Sequence, residues 1–406
     1  MSRPGSQELG VLSEAMGLLM RLRSVIGNAV LVMGTCGVTL LLLEGAFRFN
    51  YEPVRAEMND FRLVQSSFFQ RDEQLGWVPR PQVAGEHPYN GTMVPFHTNS
   101  RGWRDRDYSI QKIPGTSRIV VLGDSYTWGY RVRDEDVYPK VLESLLEHVE
   151  VINLGVTAYA TEQELLYFKR EGLQYHPDIV LLAFCQNDFD EADGKVLRRA
   201  LATTAVPNPV VAKKSEREPS GMFLSLKRWI NERSVLYSWI RDRINTNRMF
   251  VKFLVKIGLK GPLAGIEELD VNILPALKAA PVSLNPLMES AKSHVLELRD
   301  LLAVQGIRLI VVPVPAPQSV DSELFAQSIA FTRFEPEDFD LEQPYRLMED
   351  FARINHIELV NPLETFRRAH HPSRSLYLVR DMHFSPKGHE VFAQEITRYL
   401  RGSIGP

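Results

Sequence analysis

Apolar residues along this chain fall into three patterns. The first is an unbroken run: Val25 to Leu43 holds nineteen residues without a charge, close to the ~20 that cross a hydrocarbon core of ~30 Å at 1.5 Å per residue. A cleavable signal core is usually ~7–15 residues long and closes on small residues, whereas this run continues into Glu44-Gly45-Ala46-Phe47-Arg48. It predicts a short cytoplasmic tail over 1–24 and an uncleaved transmembrane signal anchor over 25–47. Arg21 and Arg23 abut the start of the run, which favours a cytoplasmic N-terminus and a single-pass protein whose remainder lies outside the cytoplasm. Arg48 and Arg55 oppose that bias.

The second pattern is short apolar runs closed by turn residues: Arg118 to Leu122, Val149 to Leu154, Asp178 to Phe184, Arg308 to Val312 and Ile357 to Val360. Runs of this length predict buried strands. The third is helical spacing, over 137–146, 162–171, 286–304, 344–354 and 386–401, the last opened by Pro386, where a missing N–H costs nothing. Strands alternating with helices predict a three-layer α/β domain, 116–200 plus 286–406, around a mainly parallel sheet covered on both faces. Ligands of such sheets sit beyond the carboxyl ends of the strands.

Two stretches break the alternation. Residues 48–115 are rich in turns, Pro and aromatics, and predict an irregular or β-rich lead-in packed on the main domain. Residues 201–285 predict a helical insertion: 206–220 is a polar, Pro-rich loop, and Phe223 to Ile257 sets Lys227, Arg228, Arg233, Arg241, Arg243, Arg248, Lys252 and Lys256 among apolar residues. Such a segment can lie on an anionic bilayer. A solvated basic face on a helix that packs on the core is the commoner use of the pattern and is the reading preferred.

Composition changes this picture little. With 47 basic and 50 acidic residues, a net charge of −3 and 44% hydrophobic residues, the chain reads as globular, and nothing in the balance points to nucleic acid. Its two cysteines, Cys36 and Cys185, fall in the apolar run and in a predicted strand, so neither a disulfide between them nor a zinc or iron–sulfur spacing is expected. GxxxxGK[ST] and GxGxxG are both absent, which argues against nucleotide chemistry. No cofactor or metal is implied.

Candidate chemistry stands at strand ends. Gly123-Asp124-Ser125 follows the run ending at Leu122 and would expose a serine above the sheet edge, with Gly123 permitting the tight turn. Phe184-Cys185-Gln186-Asn187-Asp188 ends another strand; Asn187 there can either donate to an oxyanion or cap a turn. Near the C-terminus, Asp381-Met382-His383 can hold the Nδ1–H of His383 and leave Nε2 free to take a proton from a hydroxyl. His389 competes as a base but falls within a predicted helix, where it packs or caps.

These pieces resemble, in order, blocks I, III and V of the SGNH (GDSL-like) hydrolases: GDSY at 123–126, the Asn187 segment and Asp381-x-His383. Asn153-Leu154-Gly155-Val156-Thr157-Ala158-Tyr159 resembles block II. NSRGWRD at 99–105 and GDSYTWGYRVRDEDVYP at 123–139 are similar to a membrane-anchored bacterial subset acting on acylated envelope polysaccharides. The resemblance covers about 75–200 and 290–400 and implies the flavodoxin-like SGNH fold. It implies Ser125 as nucleophile, His383 as base, Asp381 as its orienting acid, and Gly123 and Asp124 as motif support. The oxyanion hole it implies comprises the Ser125 N–H, the N–H of Ala158 or Gly155, and the Asn187 amide. Three departures stand out: Ala158 aligns best with the family's block II glycine, with Gly155 as the alternative; Cys185 replaces the block III glycine; and block V is Asp-x-His rather than Asp-x-x-His. The shorter spacing occurs in relatives resembling polysaccharide acetylesterases and alginate O-acetyltransferases. The expected activity is therefore an esterase on O-acetylated carbohydrate. The alternative is a surface-polysaccharide O-acetyltransferase served by a multispanning acyl-donor partner, and the third an inactive scaffold that binds glycan.

Overall fold

The computed structural model describes residues 34–48 and single residues between 23 and 32, then 68–89, 92–189, 234, 236, 237, 240, 248–257, 273–278, 285–371, 375–378 and 381–403. The chain divides into two compact units, residues 1–53 with 219–243, and residues 54–218 with 244–406.

In the larger unit, two antiparallel hairpins come first: β1 (Phe69–Asp72) pairs β2 (Gly76–Pro79), and β3 (Ala84–Tyr89) pairs β4 (Thr92–His97). The main sheet follows, with β5 (Ser117–Leu122), β6 (Val149–Asn153), β7 (Ile179–Phe184), β8 (Arg308–Pro313) and β9 (Glu358–Leu359). All its pairings are parallel, in the order β6-β5-β7-β8-β9. Numbered within the sheet this is the doubly wound order 2-1-3-4-5, whose direction reverses between β5 and β7. All five strands arise where the apolar runs predict them, although β9 keeps only two residues of its run.

Every β7 residue is buried, which explains why its sequence shows no polar alternation. The alternation survives in which face each side chain serves. Val120, Leu122, Val180 and Leu182 join one core, with Leu165, Val295 and Met348. Ile119, Val121, Leu181 and Ala183 join the other, with Leu142, Phe392 and Ile396. Each of these side chains other than Ala183 contributes about 1.5–3 kcal/mol by leaving water.

Ten helices flank these strands among the described residues: α1 (Ser125–Trp128), α2 (Tyr138–Leu145), α3 (Thr161–Tyr167), α4 (Arg248–Lys256), α5 (Asn285–Val304), α6 (Pro317–Val320), α7 (Ser322–Ile329), α8 (Gln343–Ile354), α9 (Leu363–Ala369) and α10 (Pro386–Ser403). The short helices α1, α6, α7 and α9 go beyond what periodicity predicts, since fewer than three turns leave little period to read. The helix expected over 162–171 changes to a π-turn at Phe168–Gly172. Of the expected insertion at 201–285, the greater part lies outside the described residues; α4 within it buries Val251 and pairs Lys252 with Glu335 at 2.6 Å.

The described part of the lead-in, from residue 68, is a structured layer. Trp77, Phe96 and Trp103 are buried in the same core as Trp128 and Tyr159. Deep at the start of β5, the fully buried Arg118 guanidinium is held by Glu150 at 2.6 Å and by the Tyr175 carbonyl at 2.8 Å, so neither charge is left unpaired.

In the smaller unit, the described residues between 23 and 48 are helical, and the side chains of Leu31, Val38 and Leu41 are exposed. Glu44 accepts from the Ser234 hydroxyl at 2.8 Å and the Leu236 N–H at 3.0 Å. Among the described residues, no helix is long and apolar enough to cross a membrane.

Candidate active site

The carboxyl end of β5 leads through Gly123 into α1. A Cβ at Gly123 would stand 2.1 Å from Thr127 Oγ1, so only glycine lets the chain turn this tightly against the helix. Asp124 caps α1, its carboxylate accepting the Tyr126 N–H at 2.9 Å, as an N-cap side chain should. Ser125 is thereby presented at the first helical position, beside the reversal point between β5 and β7.

The turn between α9 and α10 supplies the facing groups. His383 Nε2 lies 2.7 Å from Ser125 Oγ, and His383 Nδ1 lies 2.5 Å from Asp381 Oδ1. The same carboxylate oxygen accepts the His383 backbone N–H at 3.0 Å. Three residues separated by up to 258 positions thus form one continuous chain of hydrogen bonds. Burial alone would raise the Asp381 pKa, but the charge of His383, the two hydrogen bonds from His383 and the charge of Arg131 outweigh it and hold it down to about 2. Asp381 is therefore an anion at neutral pH and keeps the Nδ1 proton in place, which leaves Nε2 as the acceptor facing Ser125.

Side chains that the sequence reading did not single out complete the setting. The Tyr126 hydroxyl donates to the Met382 carbonyl at 2.6 Å, tying α1 to the Asp381–His383 turn. The Tyr130 ring lies 4.9 Å from the imidazole, centroid to centroid. Arg131 Nη1 donates to the second Asp381 oxygen at 2.9 Å. Nothing in the local sequence marks these residues, except that Tyr126, Tyr130 and Arg131 crowd within six positions of the serine.

His389 takes the other role considered for it. Its Nδ1 accepts the Tyr138 N–H at 3.2 Å, capping α2 from a neighbouring helix, and burial lowers its pKa to about 3. It is committed and neutral, unsuited to be the base.

The two candidates for the block II donor differ in their surroundings. The Gly155 N–H is bonded to Asn153 Oδ1 at 2.9 Å, and a Cβ there would come 2.5 Å from the backbone of Thr127 and Trp128. Gly155 therefore serves contact between this turn and α1. Ala158 is half-buried with a left-handed φ of 61°, a conformation glycine adopts freely and alanine at a cost of order 1 kcal/mol. The turn is fixed on either side: Trp77 Nε1 donates to the Thr157 carbonyl at 3.2 Å, and the Tyr159 hydroxyl donates to the Trp77 carbonyl at 2.6 Å. Gln163 reaches the Leu75 carbonyl at 2.7 Å. The lead-in thus holds the segment that carries Ala158.

Asn187 lies in the 3-10 turn Gln186–Phe189 at the carboxyl end of β7; its side chain lies outside the described part. The turn is closed by Asp188, whose carboxylate accepts the Cys185 N–H at 2.8 Å. Cys185 is buried, and burial followed by the charges of Asp124 and Asp188 pushes its thiol well above the usual range, which keeps it protonated and unreactive. Both cysteines are free thiols. Among the described residues no His, Cys, Asp and Glu group forms a metal cluster.

Two protein families match parts of the chain. Residues 119–212 match the model of GDSL-like lipases and acylhydrolases, the segment that carries Ser125, Ala158 and Asn187. Residues 278–405 match the SGNH hydrolase-like domain of the acetyltransferase AlgX, the segment that carries Asp381 and His383. No curated protein matches the chain. Among solved structures, similar ones include the lipase/acylhydrolase from Enterococcus faecalis, at 13% identity over 71% of this chain and 97% of that one with a TM-score of 0.37. The acetyl xylan esterase AlAXEase aligns at 12% identity over 70% and 99%, TM-score 0.36. The acetyl-xylooligosaccharide esterase Axe2 from Geobacillus, as a mutant, aligns at 12% over 72% and 97%, TM-score 0.38.

Proposed function

By both matched segments the chain is an SGNH/GDSL-type enzyme acting on ester bonds, and from that premise we propose that it is a serine-dependent O-acetylesterase of extracytoplasmic carbohydrate. The observation that carries the reading is the hydrogen-bonded chain Ser125–His383–Asp381 at the reversal point of the sheet. Ser125 Oγ attacks the ester carbonyl carbon while its proton passes to His383 Nε2. The carbonyl oxygen becomes an oxyanion met by the N–H groups of Ser125 and Ala158 and by the Asn187 amide. Losing one such donor typically costs about 10²–10³ in rate. The tetrahedral adduct collapses, the C–O bond breaks, and His383 returns the proton to the departing alcohol oxygen. Water then attacks the acyl-serine, giving its proton to Nε2, and the free acid leaves as the proton returns to Ser125 Oγ.

A second reading is favoured by the match of the base-bearing segment to an acetyltransferase domain. A sugar hydroxyl would replace water in the last step, through the same residues. Such an enzyme draws its acyl groups from a donor across the membrane, supplied by a multispanning partner. Both readings place the chain on the membrane, anchored through the apolar run Val25 to Leu43. The short Asp-x-His spacing, which resembles that of carbohydrate-acting relatives, supports a glycan substrate.

The test uses the full chain in detergent micelles with p-nitrophenyl acetate, then acetylated and unacetylated oligosaccharides. Wild type should release nitrophenol, and Ser125→Ala and His383→Ala should each lose about 10³-fold or more. Free acetate as sole product marks the esterase; acetate appearing on the unacetylated sugar marks the transferase. A folded wild type that binds glycan but is no faster than Ser125→Ala would leave the non-catalytic scaffold.

A further inference from the structure

Arg131 stands where the backbone resists any side chain. Its φ is 64°, left-handed, and residues other than glycine hold that conformation at a cost of order 1–3 kcal/mol when the surroundings impose it. The surroundings here are one fully buried guanidinium. Arg104 donates to the carbonyls of Trp128, Gly129 and Val132 and to the Asp134 carboxylate, the first at 3.1 Å and the last at 2.7 Å. Tyr130 adds its N–H to the Ser125 carbonyl at 3.1 Å. The loop from Trp128 to Asp134 is thus pinned on both sides of Arg131, and the strained residue is aimed rather than free to relax.

What it is aimed at is Asp381. The two side chains are 15% and 11% exposed and meet at 2.9 Å, too sheltered to count as an ordinary surface pair of little energetic weight. Arg131 holds Oδ2, while Oδ1 takes both His383 contacts. With both oxygens engaged, the carboxylate plane cannot rotate, and the imidazole inherits that fixed direction. The Arg131 guanidinium also lies over the Tyr130 ring, 5.1 Å from its centre, and that ring flanks the imidazole.

Resting on the function proposed above, we infer that Arg131 is a positioning residue for the acyl-transfer chemistry, orienting Asp381 and through it His383, and that the Arg104 clamp exists to keep it so aimed. Arginine at a left-handed site is a poor choice for folding and a good one for reaching the triad acid.

The strain makes the two roles separable. Arg131→Gly relaxes the backbone and deletes the guanidinium; Arg131→Lys keeps a cation within reach of Oδ2. Steady-state kinetics of the full chain on p-nitrophenyl acetate and a melting curve are measured for each. The glycine variant should still unfold cooperatively, lose about 10- to 100-fold in kcat as expected for a misaligned reacting group, and keep KM within about threefold; the lysine variant should recover most of kcat. A glycine variant within twofold of wild-type kcat overturns the inference. So does a lysine variant no better than glycine. An inactive wild type would instead sink the enzymatic reading itself.

Discussion

Replacing Asp381 by asparagine probes both the stability and the chemistry of the site. In the wild type, Oδ1 accepts two donors from His383 and Oδ2 accepts Arg131. An amide has one acceptor to offer. With its NH2 toward Arg131 it faces a cation with a donor; with its oxygen toward Arg131 its NH2 opposes the His383 backbone N–H and pushes the imidazole proton onto Nε2. The charged guanidinium forms the stronger bond, so the second arrangement should prevail and Ser125 should face an N–H instead of a base. The expected loss in kcat is about 10³–10⁴, by analogy with the same change in serine protease triads. The stability consequence follows from protonation. Asp381 titrates at about 2 in the folded protein against a reference of 3.8, so its ionised form stabilises the fold above about pH 4, and that contribution disappears as pH falls through about 2. The difference corresponds to about 2 kcal/mol. Urea unfolding at intervals from pH 7 to pH 2, together with turnover of p-nitrophenyl acetate, checks both parts. Asp381→Asn should be less stable than wild type by about 2 kcal/mol at pH 7, with the gap closing towards pH 2. A variant that keeps more than a tenth of wild-type kcat, or one whose stability runs parallel to wild type down to pH 2, would refute the reasoning.

Three further outcomes are expected. Gly155→Ala drives a methyl into the backbone of α1, 2.5 Å from Thr127 and Trp128, and should cost about 1–3 kcal/mol with a fall in kcat; unchanged turnover would show that Ser125 does not depend on this contact. Ala158→Gly relaxes a φ of 61° while adding freedom to the unfolded chain, so stability should shift by less than about 1 kcal/mol and activity should hold; a tenfold drop would show that the methyl itself touches the acyl group. The buried Glu164 carboxylate has no hydrogen-bond partner among the described residues, and burial, then the charges of Asp188 and Asp124, raise its pKa well above normal. The folded state therefore binds a proton that the unfolded state releases above 4.5, and stability falls as pH rises beyond that point. Glu164→Gln should remove that slope, visible as a gain over wild type that grows from pH 5 to pH 8 in urea titrations.

How much of this was legible in the sequence depended on whether the signal was local. The strands were, because a run such as Ile119 to Leu122 carries its burial in its own composition. Gly123-Asp124-Ser125 was legible as a turn for the same reason. Gly155 and Ala158 were left as alternatives because choosing between them requires knowing that Asn153 turns back on the Gly155 N–H and that Ala158 is left-handed, neither of which composition reveals. Arg131 could not be read at all: its meaning lies in a carboxylate 250 positions away. The hairpins of the lead-in are blurred by their turns and prolines, and their tie to the site runs through the indole N–H and carbonyl of Trp77 and the carbonyl of Leu75.

That tie has a consequence for anyone who would cut the protein down to size. The four sequence blocks that carry the resemblance to SGNH hydrolases begin at Gly123, and a fragment starting near residue 116 would contain all of them. It would lack Trp77 and Leu75, whose hydrogen bonds brace Thr157, Tyr159 and Gln163 around Ala158. It would also lack Arg104. Modular transplantation of the catalytic half alone would carry over the alphabet of the active site without its spelling, and a working minimal unit must start upstream of β1.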